Sequence, residues 1–245
     1  MSRPAPFIAA VRSQVRMEAR LTARRGENLL AMVGIPVAAL LFFGTVGVGG
    51  AARGIPYLLP PSLALALVAS GLVNLGIATA FERGYGVLKR LGGAPLGRGG
   101  LLVAKIAVVA VIGAVQVAAL LVLATLLGWQ PSTAVSWPAV VMVTVVSVST
   151  FAAVGLLLAG TLRPEAVLVL ANVVFLVAIL LGGVAVAIDD LPGPLATVAA
   201  VLPWGAAGEA YRAALGGGDV FGPLAVVAAW GLAATVGAIQ TFRWD

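Results

Sequence analysis

Long runs without charge constrain this chain more than any motif does. Six segments, near 29–49, 58–81, 101–127, 138–162, 166–188 and 222–242, are almost wholly apolar. Each reaches the ~20 residues that a helix needs to cross a ~30 Å hydrocarbon core. Inside that core every backbone N–H and C=O must find its partner within the segment, which leaves the helix as the fitting form. Composition agrees: 61% of the chain is hydrophobic and 10% charged, against about 25% charged in a soluble domain. Too few polar side chains remain to cover a surface that faces water. The expected fold is an all-α integral membrane protein of six transmembrane helices. Pro36, Gly71, Gly76, Gly113, Gly155, Gly182 and Gly183 fall inside the apolar segments, where membrane helices tolerate them and small residues favour close packing. Pro60, Pro138 and Pro223 sit near expected helix starts, where a missing N–H costs least.

Residues 1–28 form a polar preface too long for the n-region of an ordinary signal peptide, so the first apolar segment reads as a retained span. The spans then fill 29–242, and 243–245 are a short tail. A formal charge of +6 invites a nucleic-acid reading, but in a membrane protein the placement of basic residues matters more than their sum. With the N-terminus inside, the inner face collects Arg3, Arg12, Arg16, Arg20, Arg24, Arg25, Arg83, Lys89, Arg90, Arg98, Lys105, Arg163 and Arg243. Only Arg53 and Arg212 fall outside. That bias places both termini in the cytoplasm. Tyr57, Trp129 and Trp137 lie at the expected outer interface and Trp244 at the inner one.

The preface is patterned too. Arg12, Arg16, Arg20 and Arg24 recur every four residues, with Phe7, Ile8, Val11 and Val15 on the opposing arc. A basic amphipathic helix of this kind lies in the headgroup plane and is attracted to anionic lipid. Plain anchoring and a docking or coupling role both suit it. Between the fifth and sixth spans, "LATVAAVL" (195–202) is too short to cross a bilayer and leads into "PWGAAGEAYRAAL" (203–215). An outer re-entrant or interfacial hairpin is expected there.

Absences narrow the energy source. Lys105 is the one ionisable residue within the spans, placed where it can snorkel to the inner edge. Ion-coupled transporters generally carry an ionisable group at mid-membrane. A P-loop needs a lysine directly after a glycine, and neither Lys89 nor Lys105 follows one. With no Cys and no His, disulfides, thiol chemistry and the usual zinc sites are excluded. No catalytic constellation appears, so a partner must supply any work.

The charged stretch "ERGYGVLKRLGGAPLGRG" (82–99) is the place for such a partner. Read as a helix, 82–91 puts Tyr85, Leu88 and Leu91 on one face, with Glu82, Arg83, Lys89 and Arg90 around it. Gly92, Gly93 and Pro95 end it. A helix of about ten residues is marginal alone and needs a second surface.

This loop resembles the first cytoplasmic loop of the permease subunits of ABC-2 type transporters, including their drug- and antibiotic-export branch. The matching residues are Glu82, Arg83, Gly86, Leu88, Pro95, Arg98 and Lys105, and the outer element at Pro203, Glu209 and Arg212 is similar to a second motif of that family. Val87 stands where threonine is common, and Gly84 and Lys89 where acids are common. The resemblance implies a half-transporter in a bacterial cytoplasmic membrane. It would pair with a second copy of itself or a homologous permease, and with two ATP-binding subunits that hold ATP and Mg²⁺. Segment 82–91 would be the coupling helix seated on the ATPase. Spans two and five would border the path, making their mid-span Asn74 and Asn172 candidates to line it; interhelical hydrogen bonding, worth ~0.6 kcal/mol on average, is the plainer role. Glu209 and Arg212 would gate or stabilise the hairpin. The cargo would be hydrophobic or amphipathic: a drug, an antibiotic or a lipid-like molecule. Arginine- and alanine-rich composition suggests an actinobacterial source. An ion-coupled transporter or channel, or a membrane scaffold that recruits a cytoplasmic protein, are the rival classes.

Overall fold

The computed structural model describes residues 7–24, 26–46, 54–88 and 97–242; they form helices joined by turns, with no strand among them. Helix α1 (Phe7–Arg24) precedes α2 (Gly26–Val46), separated from it by one residue. Helix α3 (Ile55–Gly84) is continuous but widens into a π-helix over Val68–Asn74. Then come α4 (Gly97–Leu126), α5 (Trp137–Thr161), α6 (Pro164–Leu181), the short pair α7 (Gly193–Val201) and α8 (Pro203–Gly216), and α9 (Phe221–Thr241).

Among the described residues α3, α4, α5, α6 and α9 are long and apolar enough to cross a membrane. Helix α2 covers the first expected span: its shorter apolar helix Val33–Val46 is continued in the sequence by the apolar residues 29–32. Two boundaries differ from the sequence expectation. Helix α3 starts at Ile55, with Pro60 and Pro61 inside its early turns rather than at its first residue. Helix α6 stops at Leu181, because Gly182 and Gly183 form a turn that leads to a short 3₁₀ segment at Ile188–Asp190.

Helix α3 is the centre of the bundle. Of its apolar window 78% is buried by the rest of the chain, against 17% for α6 and for α9. In lipid no hydrophobic force drives helix against helix, so close packing must do it, and small residues permit that. The α3–α5 contact shows this. A Cβ built on Gly155 would lie 2.7 Å from the Gly71 carbonyl oxygen and 2.9 Å from that of Leu72, and one on Gly76 would lie 3.1 Å from the Gly155 Cα. The two backbones touch at the π-helical turn. On the outside of the bundle, Val111, Val115 and Val122 of α4 and Leu232, Val236 and Ile239 of α9 are exposed. On a soluble monomer so much apolar surface would be a liability, whereas acyl tails cover it in a membrane.

Of the tryptophans expected at the outer interface, Trp129 packs into the core of the chain and Trp137 is half exposed. The Ser/Thr cluster of α5 divides in the same way. Thr150 Oγ1 donates to the Val227 carbonyl of α9 at 3.1 Å, Ser147 is buried and Ser149 is exposed. Thr144 Oγ1 lies 2.8 Å from the Tyr211 hydroxyl of α8 and 2.7 Å from the Val140 carbonyl. Tyr211→Phe removes the cross-helix bond yet leaves Thr144 its carbonyl partner. The expected loss is about 1 kcal/mol, read as a drop of about 2–4 °C in the thermal midpoint in detergent.

Candidate functional site

The end of the bundle where α3 stops and α4 begins gathers the charges that the spans exclude. Helix α3 closes with Tyr85 N–H donating to the Phe81 carbonyl and Gly86 N–H to that of Arg83, both at 2.9 Å. Gly86 then takes φ +70°, a left-handed conformation that costs a side-chain-bearing residue dearly. The single helix expected over 82–91 therefore does not form. Residues 82–84 finish α3, 85–86 turn, and 87–88 become helical again. This splits the expected docking face: Tyr85 is 73% exposed, but Leu88 is fully buried in the chain's own core. Lys89, Arg90 and Leu91, with Gly92 to Pro95, lie outside the described residues.

Glu82 and Arg83 turn inward, in opposite directions. The Glu82 Oε2 sits 2.7 Å from Lys105 Nζ on α4. Lys105 is 4% exposed, so it does not snorkel to the membrane edge as expected. Its ammonium is also 3.3 Å from Glu18 Oε1 on α1, a carboxylate that accepts a 3.1 Å hydrogen bond from Gln14 Nε2 one turn earlier. One ammonium thus joins three helices, and its desolvation is offset by two carboxylates rather than by water. On the other side, the Arg83 guanidinium donates to the carbonyls of Gly160 and Leu162 at the end of α5. Those carbonyls have no partner within their own helix, and a guanidinium is well suited to capping them. Gly84 stands where the resembling family often has an acid. A Cβ here would come within 2.9 Å of Pro164 Cγ, so the departure lets α3 meet the start of α6 closely.

Glu82 ties α3 to α1 and α4, and Arg83 ties it to the α5–α6 corner. Tyr85 and Val87 stand exposed immediately beyond this fixed point. Among the described residues no group of three His, Cys, Asp or Glu could hold a metal.

The remaining expected residues lie elsewhere. Asn74 closes the π-helix and is half exposed; Asn172 is exposed on α6, with Nδ2 donating to the Leu168 carbonyl at 2.7 Å. At about 1.5 Å of rise per residue, Asn74 stands about 15 Å above Gly84 and Asn172 about 12 Å above Pro164. Gly84 and Pro164 are close, so by residue count the two amides lie within a few ångströms of the same height along their helices. At the opposite end, Pro203 starts the buried α8. Arg212 Nε is 3.2 Å from Glu209 Oε1, and the guanidinium lies 4.1 Å above the Tyr57 ring, pinning α8 to the start of α3. Trp230 Nε1 donates to the Val201 carbonyl at 2.9 Å, which holds α7 against α9.

Sequence reasoning missed Glu18 and placed Lys105 at the membrane edge rather than in an ion pair. Glu18 follows Phe7, Val11 and Val15 on the apolar arc of α1, and an acid on an apolar face signals a buried cation. Lys105, alone among the spans, is that cation.

The model of the ABC-2 type transporter family matches residues 10–215, from within α1 to the end of α8. No curated protein matches the chain. The matched region contains the whole Glu82–Arg83 junction and four of the five long apolar helices. Members of this family are the membrane components of ABC transporters, which also contain an ATP-binding subunit, and the chain, a multi-pass membrane protein, belongs to the ABC-2 type transporter family.

Proposed function

We propose that the chain is the permease half of an ATP-driven exporter of hydrophobic or amphipathic molecules, the drug- and antibiotic-export branch being the nearest in character. It sits in a bacterial cytoplasmic membrane with six spans, α2 being the first, both termini in the cytoplasm and α7–α8 re-entering from outside. Two permease copies, or this chain and a homologue, work with two ATP-binding subunits that carry ATP and Mg²⁺. The observation that carries the reading is the junction: Glu82 and Arg83 fix the end of α3 to three neighbouring helices, α1, α4 and the end of α5, and Tyr85 and Val87 protrude just past it. A push on that tip is delivered directly to α3, the most enclosed helix of the bundle.

Docking then rests on Tyr85 and Val87, with Lys89 and Arg90 setting register. The roles of Glu82, Arg83 and Leu88 are internal: two to tie the lever down and one to root it. Asn74 and Asn172, at similar heights on α3 and α6, supply the polar contacts of a path that is otherwise apolar. An apolar path suits an apolar cargo.

Co-purification with the ATP-binding subunit tests this. A tyrosine at an interface centre is worth about 2 kcal/mol, so Tyr85→Ala is expected to weaken assembly about 30-fold. Tyr85→Ala with Val87→Asp should abolish it, and charge reversal at Lys89 and Arg90 should uncouple ATP hydrolysis from transport. Leu88→Asp is the wrong probe, because it buries a carboxylate in the chain's own core. Full assembly of the Tyr85/Val87 double variant, with an unchanged thermal midpoint, would overturn the docking site.

A further inference from the structure

Helix α1 carries a charge pattern that docking of the loop does not use. Arg12, Arg16 and Arg20 are each exposed and stand one above another on one face. Like charges four residues apart destabilise a helix, so the row requires anions beside it. The one acid of α1 is Glu18, and it is turned away to the Lys105 ammonium. Among the side chains described, no acid pairs with the row. The described residues thus leave the row open to an external countercharge. Helix α1 is joined to α2 through Arg25 alone, which keeps the row next to the point where the chain enters the membrane. A surface of lipid phosphates is the anion found there.

We propose that Arg12, Arg16 and Arg20 bind anionic phospholipid headgroups, and that the Glu18–Lys105–Glu82 clasp carries this occupancy to the end of α3, so that anionic lipid sets the rate of ATP turnover. The lipid site stands on the charge pattern, whereas control of turnover rests on the reading as an ATP-driven permease. The physical link is short. The same ammonium holds a carboxylate of the arginine-bearing helix and a carboxylate at the root of the lever. A change in the seat of α1 cannot leave Lys105 in place without straining one of these two contacts.

The first arm of the test needs no ATPase. The chain in phosphatidylcholine vesicles is offered spin-labelled phosphatidylglycerol or phosphatidylcholine. A preference of about fivefold for the anionic lipid, equivalent to ~1 kcal/mol, is expected. It should fall to parity in Arg12→Gln/Arg16→Gln/Arg20→Gln and persist in Glu18→Gln. In the second arm the chain with its ATP-binding subunit is reconstituted with and without roughly 30% phosphatidylglycerol. Turnover should rise about fivefold, the lower end of ordinary coupling energies, and both variants should lose that rise. Retained selectivity in the triple variant overturns the lipid site, and lost assembly without lost selectivity reassigns the row to a protein surface. A Glu18→Gln transporter that answers to phosphatidylglycerol as the parent does overturns the clasp as conduit. Failure of the parent chain to assemble with any ATP-binding subunit counts against the permease reading while leaving the first arm standing.

Discussion

Lys105→Met will be among the most destabilising single substitutions in this chain. The side chain is 3% exposed and holds Glu82 at 2.7 Å and Glu18 at 3.3 Å. Removing the ammonium leaves two carboxylates facing one another in a site largely closed to water. Breaking a buried ion pair by deleting one partner costs about 3–5 kcal/mol, so the thermal midpoint in detergent should fall by roughly 10 °C. The companion variants separate charge from shape. Adding Glu82→Gln and Glu18→Gln to Lys105→Met removes the repulsion, and replacing a whole buried ionic group by neutral side chains is often close to neutral. Most of the lost stability should return in that triple variant. A drop of less than about 1 kcal/mol in Lys105→Met would mean that the cluster is no better than a surface ion pair.

On the proposed reading, the same cluster would be the root through which an ATP-binding subunit moves this apolar protein. A lever needs a root, and the root must survive a force large enough to move a helix. Arg83 and Glu82, adjacent in sequence, leave α3 on opposite sides and reach the α5–α6 corner and the α1–α4 pair. Neither can be released without leaving charge or carbonyl groups unpaired, and the low dielectric makes that costly. Just past that root Tyr85 and Val87 are exposed, and Gly86, at φ +70°, changes the direction of the chain between them.

Much of this was legible in the sequence. Runs without charge revealed the long helices, because burial in lipid demands continuous apolarity and nothing else resembles it. The loop at 82–99 announced itself for the same reason, as an exception to that rule. Its internal geometry did not. Tyr85, Leu88 and Leu91 share a face only if the helix continues, and periodicity alone does not reveal that Gly86 adopts a positive φ. Glu82 and Arg83 looked like surface charges because helical position identifies a face without identifying the neighbour on it. Arg83 in particular bonds to backbone carbonyls, groups that every sequence contains and that none can mark. Glu18 and Lys105 each stand as a charge on an otherwise apolar face, but their pairing is hidden by the two whole expected spans that lie between them.

Gly155→Ala should cost about as much as a single methyl can. The added carbon would meet the Gly71 oxygen at 2.7 Å, the Leu72 oxygen at 2.9 Å and the Leu72 Cα at 3.2 Å. All three are backbone atoms, so no rotamer change can relieve the clash and α3 must move away from α5. Overpacking of this kind costs about 1–3 kcal/mol, and the upper end is expected where the obstacle is a helix backbone. Separation also forfeits the close contact that holds membrane helices together. Gly34→Ala on α2 is the matched control, because nothing lies within 4 Å of a Cβ built there. That change should be neutral or should stabilise by up to about 1 kcal/mol through helix propensity. The contrast bears on function because α3 is at once the helix that touches α5 here and the helix rooted at Glu82 and Arg83. If the glycine contact is the pivot on which α3 turns, Gly155→Ala will lower transport more than its loss of stability accounts for, at temperatures where the protein is still folded. If transport falls only as far as the folded fraction does, the glycines serve packing alone and the pivot lies elsewhere along α3.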